Sequence, residues 1–143
     1  MELLNNKIII AAAIAWACSQ VSKTIIHAII NRKIDWSRLR GDGGMPSSHS
    51  ATVTAAAAAS AVVCGLGSPV FAVMLLFALI TCHDAMNSRR EIGKHSLVLN
   101  ELILQVGHEE PLDVVLKEFV GHTPLQVLAG IIFGLIVAYF VCR

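Results

Sequence analysis

Two histidines stand in settings suited to an anion. His49 follows Pro46-Ser47-Ser48 and opens a long run rich in alanine and valine. His122 follows Gly121, precedes Thr123-Pro124-Leu125-Gln126, and also stands at the start of an apolar run. Serines are good N-caps, and the N–H groups of a first helical turn attract anions. The glycines before Met45 allow a backbone to approach a ligand closely. A third run ends in His83-Asp84 and is followed by Asn87-Ser88-Arg89-Arg90. Two histidines with Lys and Arg beside them can carry out phosphoryl transfer. One neutral imidazole attacks phosphorus, the other protonates the leaving oxygen, and the cations hold the phosphate oxygens. Taken alone, PSSHS reads equally well as a helix cap carrying an interfacial histidine.

These groups must be positioned by a membrane protein. Of 143 residues, 55% are hydrophobic and only 15% charged, and the mean hydropathy is +0.68. A soluble domain is nearer a quarter charged. The alternative class is an alanine-rich soluble bundle. A net charge of +1 argues against a nucleic-acid partner. Four apolar runs cover residues 8–30, 51–66, 70–82 and 125–141. A bilayer core takes about 20 helical residues. The middle two runs therefore reach that length only if residues 47–50 and 83–87 continue their helices. GLGSP at 65–69 joins these two as a tight hairpin. Residues 91–106 alternate polar and apolar positions at helical spacing and predict a helix lying on the membrane surface. Pro111 predicts a further short helix ending near Gly121. The first run continues past any cleavage point of a signal peptide, so it reads as a retained span. Within it, Gln20, Lys23 and His27 share one helix face, which predicts a polar stripe facing the bundle interior. The other reading of Lys23 is a side chain snorkelling to the interface.

With four spans, residues 31–44 and 87–121 fall on one side and hold eight of the 11 Lys and Arg. The positive-inside rule places them in the cytoplasm and both termini outside. Histidines and arginines thus collect at one end of the spans. The four cysteines, Cys18, Cys64, Cys82 and Cys142, lie in apolar runs without CxxC spacing and read as small apolar residues. No Asp/Glu/His cluster has metal-ligand spacing.

At this point the chain resembles a known family. PSSHS is similar to the PSGHS motif of the type 2 phosphatidic acid phosphatase and vanadium haloperoxidase superfamily. GHTPLQVLAG at 121–130 resembles its last motif, and Ser88-Arg89 the Ser-Arg that opens that motif. The ordered set from KTIIHAIINRK through PSSHS and RREIGKHSLVLNEL to GHTPLQVLAG resembles the divergent membrane branch of the superfamily. The resemblance implies that Lys23 and Arg32 bind phosphate together with Ser47, Ser48 and Arg89. It implies that His49 is the general acid and His122 the nucleophile. Ser48 replaces the usual glycine, and no Pro follows Arg32. Gln126 stands where the superfamily has the Asp that supports the nucleophile. Its amide can accept from an imidazole N–H, and Asp84 can supply the missing charge. An inserted segment separates Arg89 from His122. His95 fits the superfamily's Ser-Arg-to-His spacing literally, but Leu99 then takes the Asp position and no span follows. His122 is therefore preferred, and His95 reads as a solvated residue on the surface helix. His27, His83 and His108 read as interfacial or polar-stripe residues.

The expectation is an all-α protein, residues 1–143 forming a single small integral membrane bundle. It has about four spans plus an interfacial amphipathic segment. If bacterial, it resides in the cytoplasmic membrane. The expected activity is metal-independent hydrolysis of a lipid phosphomonoester or diphosphate through a phosphohistidine. Phosphatidylglycerophosphate, phosphatidic acid and polyprenyl diphosphate all fit. No cofactor is expected, and the partners are membrane lipids, the lipid phosphate and a second copy of the chain in a homo-oligomer. The competing class is a catalytically weak phosphate- or lipid-binding scaffold, for which Gln126 is the best argument. Haloperoxidase activity would need vanadate and leaves the membrane spans unexplained.

Overall fold

The computed structural model describes residues 5–33, 44–106, 116 and 121–143. The described residues form α1 (Lys7–Asn31), α2 (Ser48–Cys64), α3 (Pro69–Met86), α4 (Ser88–Val106) and α5 (Pro124–Cys142), with no strand. The chain is therefore the all-α bundle that its hydropathy predicts. The helix expected from Pro111, most of the connection at 31–44, and His108 lie outside the described residues.

Caps set the helix starts. The Asn6 side chain accepts from the N–H groups of Ile8 and Ile9 at the start of α1. Ser68 Oγ accepts from Phe71 N–H, with Pro69 in the first turn of α3. Pro there removes an N–H that has no helical partner anyway. α2 and α5 start on Ser47 and Thr123. α1 stops at Arg32, whose φ is 50°.

Three helical stretches are long and apolar enough to cross a membrane: Lys7–Asn31, Pro69–Ile103 and Pro124–Cys142. α2 is shorter, 17 residues, or ~26 Å at 1.5 Å per residue. It gains its first turn from Ser48 to Ser50, and α3 runs on through His83 to Met86. α4 follows α3 with only Asn87 between them. Its Arg89, Arg90, Glu91, Lys94 and Glu101 suit a water-facing edge.

α2 is the centre of the bundle and packs on α1, α3 and α5. Lipid tails are as apolar as leucine, so helices in a bilayer associate through close packing of small side chains. Ala51, Ala55 and Ala59 on α2 meet Ala11 and Ala15 on α1 and Ala138 on α5 in one buried cluster. Two α5 glycines complete the seam. A Cβ at Gly130 would lie 2.5 Å from the Ser47 carbonyl oxygen, and one at Gly134 would lie 2.4 Å from that of Ala51. The outward faces carry large exposed residues such as Ile29, Phe77, Ile132 and Phe140, as a lipid-facing surface should. α2 and α5 start at the end of the bundle where α1 and α3 finish. At the opposite end, Lys7 Nζ donates to the Cys142 carbonyl.

Candidate active site

Because of that arrangement, PSSHS, the end of α3, the start of α4 and the start of α5 share one end. Three backbone contacts lock them together. Ser47 N–H donates to the Gln126 carbonyl at 3.1 Å. His122 N–H donates to the Ala85 carbonyl at 3.0 Å. Gly121, at φ 93°, lies against the backbone of Arg89 and Arg90. Ser88-Arg89 and Gly121-His122 are far apart in the chain and adjacent in space. The two motif halves thus meet in space although the inserted segment separates them in sequence.

His122 is 4% exposed. Its Nδ1 lies 3.3 Å from Gln126 Oε1. The same oxygen accepts from Thr123 N–H at 3.0 Å, while Thr123 Oγ1 accepts from Gln126 N–H at 3.3 Å. This is a capping box. A backbone N–H can only donate, so the box fixes which end of the Gln126 amide is oxygen. An amide oxygen can only accept, so Nδ1 carries the proton in this bond. Nε2 then keeps its lone pair, as a nucleophile requires. The Thr123-x-x-Gln126 spacing is itself the sequence signature of a capping box, which comparison of Gln126 with the superfamily's Asp does not show.

On α2, Ser47 is fully buried and Ser48 is 4% exposed. Ser47 Oγ accepts from Ser50 N–H at 3.4 Å and from Ser50 Oγ at 3.0 Å. Ser47 is thus first a helix cap and a brace between α2 and α5. His49, half-buried, is within Coulombic reach of Asp84. Arg89 Nε donates to Asp84 Oδ2 at 2.8 Å, and both side chains are 39% exposed. Sequence reasoning placed Asp84 and Arg89 in the site but did not foresee that they pair.

Lys23 is 3% exposed. It is enclosed by protein rather than snorkelling, and Gly44 makes room for it. A Cβ on Gly44 would stand 3.1 Å from both Cγ and Cδ of Lys23. Gln20 Oε1 and His27 Nδ1, on the same face, are buried atoms without a hydrogen-bond partner among the described residues. Arg32 is exposed at its left-handed cap. It stands nine positions beyond Lys23, ~13 Å of helix rise along α1. His95 is exposed on α4. His83 is exposed and takes a hydrogen bond from Asn87 Nδ2 at 2.9 Å. Asn100 was not anticipated. Its amide donates to the Leu116 carbonyl and accepts from Leu116 N–H, both at 3.0 Å, tying α4 to the segment that leads into Gly121. Among the described residues, no three His, Cys, Asp or Glu side chains group to hold a metal ion.

Comparison with known proteins identifies the family. The profile of the family described as the divergent PAP2 family matches residues 4–137. The chain is also 40% identical, over 156 aligned positions, to the uncharacterized membrane protein YuiD of Bacillus subtilis (strain 168). That alignment covers 98% of this chain and 99% of the Bacillus protein. No solved structure matches the chain.

Proposed function

The chain belongs to the divergent PAP2 family, and from that premise we propose that it is a membrane phosphatase acting on a lipid phosphomonoester or diphosphate. The observation that carries this reading is the anchored imidazole of His122, held on Gln126 beside the Arg89 backbone. Nε2 of His122 attacks phosphorus as the bond to the leaving oxygen breaks. His49, as imidazolium, gives that oxygen its proton. The neutral His49 then takes a proton from water, whose oxygen attacks the phosphohistidine. The N–P bond breaks and inorganic phosphate leaves. Lys23 and Arg89 hold the phosphate oxygens, with Ser48 and the first-turn N–H groups of α2 beside them. The Asp84 carboxylate favours the protonated form of His49. Arg89 turns from Asp84 towards the phosphate or bridges the two. The Lys and Arg residues of the connections support a cytoplasmic position for this end of the bundle.

The test is phosphate release by the purified protein from phosphatidylglycerophosphate, phosphatidic acid and polyprenyl diphosphate, with acid-labile phosphoenzyme trapped in parallel. Turnover of at least one lipid, inhibited by vanadate and indifferent to EDTA, is expected. Binding of the lipids without release of phosphate would make the protein a scaffold instead. Loss of activity in EDTA, restored by a divalent ion, would remove the metal-free mechanism.

A further inference from the structure

α3 and α5 each pack on α2 but touch one another little. Between them lies a cleft of about 670 Å³ that runs beside Leu79, Cys82 and Met86 on α3 and Pro124, Val127 and Ile131 on α5. A second space of about 440 Å³ shares Leu79, Cys82 and Ile131 with it. The second space continues over Ala57, Ala58 and Ala61 of α2 to Phe71. The two form one trough with an alanine floor. It extends along α3 from Phe71 to Met86, ~22 Å of helix rise. That exceeds half of the ~30 Å hydrocarbon core. Its walls are apolar except for Thr54 on the floor and His83 near one end. That end is the active-site end. Pro124 is two positions from His122, and Met86 adjoins Ala85, whose carbonyl accepts from His122 N–H.

We infer that this trough seats a hydrocarbon chain of the phosphorylated lipid while its head group lies at His122. The inference rests on the phosphatase reading of that site. What occupies an apolar trough inside a bilayer is hydrocarbon, and continuity with the His122 end selects which hydrocarbon. Transfer from bilayer to trough brings little hydrophobic gain, since both are apolar. The advantage is geometric. A lipid whose head reached His122 by rising out of the bilayer would expose chain to water, at ~0.8 kcal/mol per methylene. A side trough lets the head slide in with its chain still covered. Preference for the phosphorylated lipid therefore comes from the head, and the trough sets only where its chain lies.

The experiment uses the full-length protein in phosphatidylcholine nanodiscs carrying a small fraction of phosphatidic acid with a photoreactive group on its acyl chain. The control lipid is phosphatidylcholine with the same photoreactive chain. Peptides containing Leu79, Cys82 and Ile131 should be labelled about tenfold more by the phosphatidic acid than by the control, while α1 peptides should be labelled alike by both. Ile131→Trp and, on the more exposed wall, Leu79→Trp should each remove most of that excess. Both should also slow hydrolysis of the long-chain lipid but leave that of nitrophenyl phosphate within about twofold. Identical labelling by the two lipids overturns the inference, even if phosphate is released. So does a disulfide joining two protein chains through Leu79→Cys, which would make the trough an interface between copies. Selective labelling without any phosphate release keeps the trough and removes the phosphatase reading.

Discussion

A Cβ on Gly121 would lie 2.5 Å from the backbone nitrogen of Arg90. Arg89 C and Arg90 Cα would each be 2.7 Å away. All three are backbone atoms, so no rotamer change relieves the overlap. Gly121 also holds φ 93°, a region that costs an L-residue about 1–2 kcal/mol. Glycine here lets the loop before His122 close onto the start of α4. Gly121→Ala should therefore separate His122 from Arg89. The expected result is at least about a tenfold fall in kcat, ~1.4 kcal/mol of barrier, with helical circular dichroism unchanged. Wild-type kcat in this variant would show that the contact does not matter for the chemistry.

Gln126 offers a sharper comparison. Gln126→Ala removes the acceptor for both Thr123 N–H and His122 Nδ1. It should cost about 1 kcal/mol of stability, as cap losses do, and at least about tenfold in kcat. Gln126→Glu keeps both acceptor positions and adds a negative charge beside the imidazole. That charge favours imidazolium, so the acid limb of the pH–rate profile should move to higher pH. Activity above that limb should be retained or raised. If Gln126→Glu is as damaged as Gln126→Ala at every pH, the Nδ1 anchor is not what Gln126 provides.

The two histidines need opposite protonation states. His122 must be neutral and His49 protonated, so activity should fall at low pH through His122 and at high pH through His49. His122→Ala should form no phosphoenzyme. His49→Ala should lose about 10²–10⁴-fold on a lipid phosphate but far less on nitrophenyl phosphate, whose leaving oxygen needs no proton. His95→Ala should stay within about tenfold of wild type. A dead His95→Ala beside a His122→Ala that still forms phosphoenzyme would make His95 the nucleophile.

Sidedness can be read without any activity. Lys33 is exposed just beyond α1, at the active-site end. Lys33→Cys in a chain whose native cysteines are replaced should resist an impermeant maleimide in intact cells and react after lysis. Labelling from outside would reverse the orientation and put the site on the outer face.

The Bacillus relative shares nearly the full length of this chain. The same Gly121, Gln126 and His95 substitutions can be made at its aligned positions wherever the residue types agree.

The sequence determined whatever depends on near neighbours along the chain. Apolar runs give helices in lipid because every backbone polar group must be satisfied within the segment. Ser47, Ser68 and Thr123 mark helix starts because a cap acts over two or three residues. Order and content of motifs single out His49, Asp84, Arg89 and His122 as candidates, and helical period puts Lys23 on an inward face. Tertiary packing decided which of these meet. Lys23 and Arg32 are equivalent as phosphate cations in the sequence, yet one is enclosed and the other is exposed at the left-handed cap of α1. His95 has the literal spacing from Arg89, but α4 carries it onto an exposed face. His122 comes back beside Arg89 because Gly121 admits the α4 backbone and Ala85 accepts its N–H. A contact across so many residues leaves no local pattern. Small residues on α2 and α5 also let the helices approach closely enough for the two motif halves to meet.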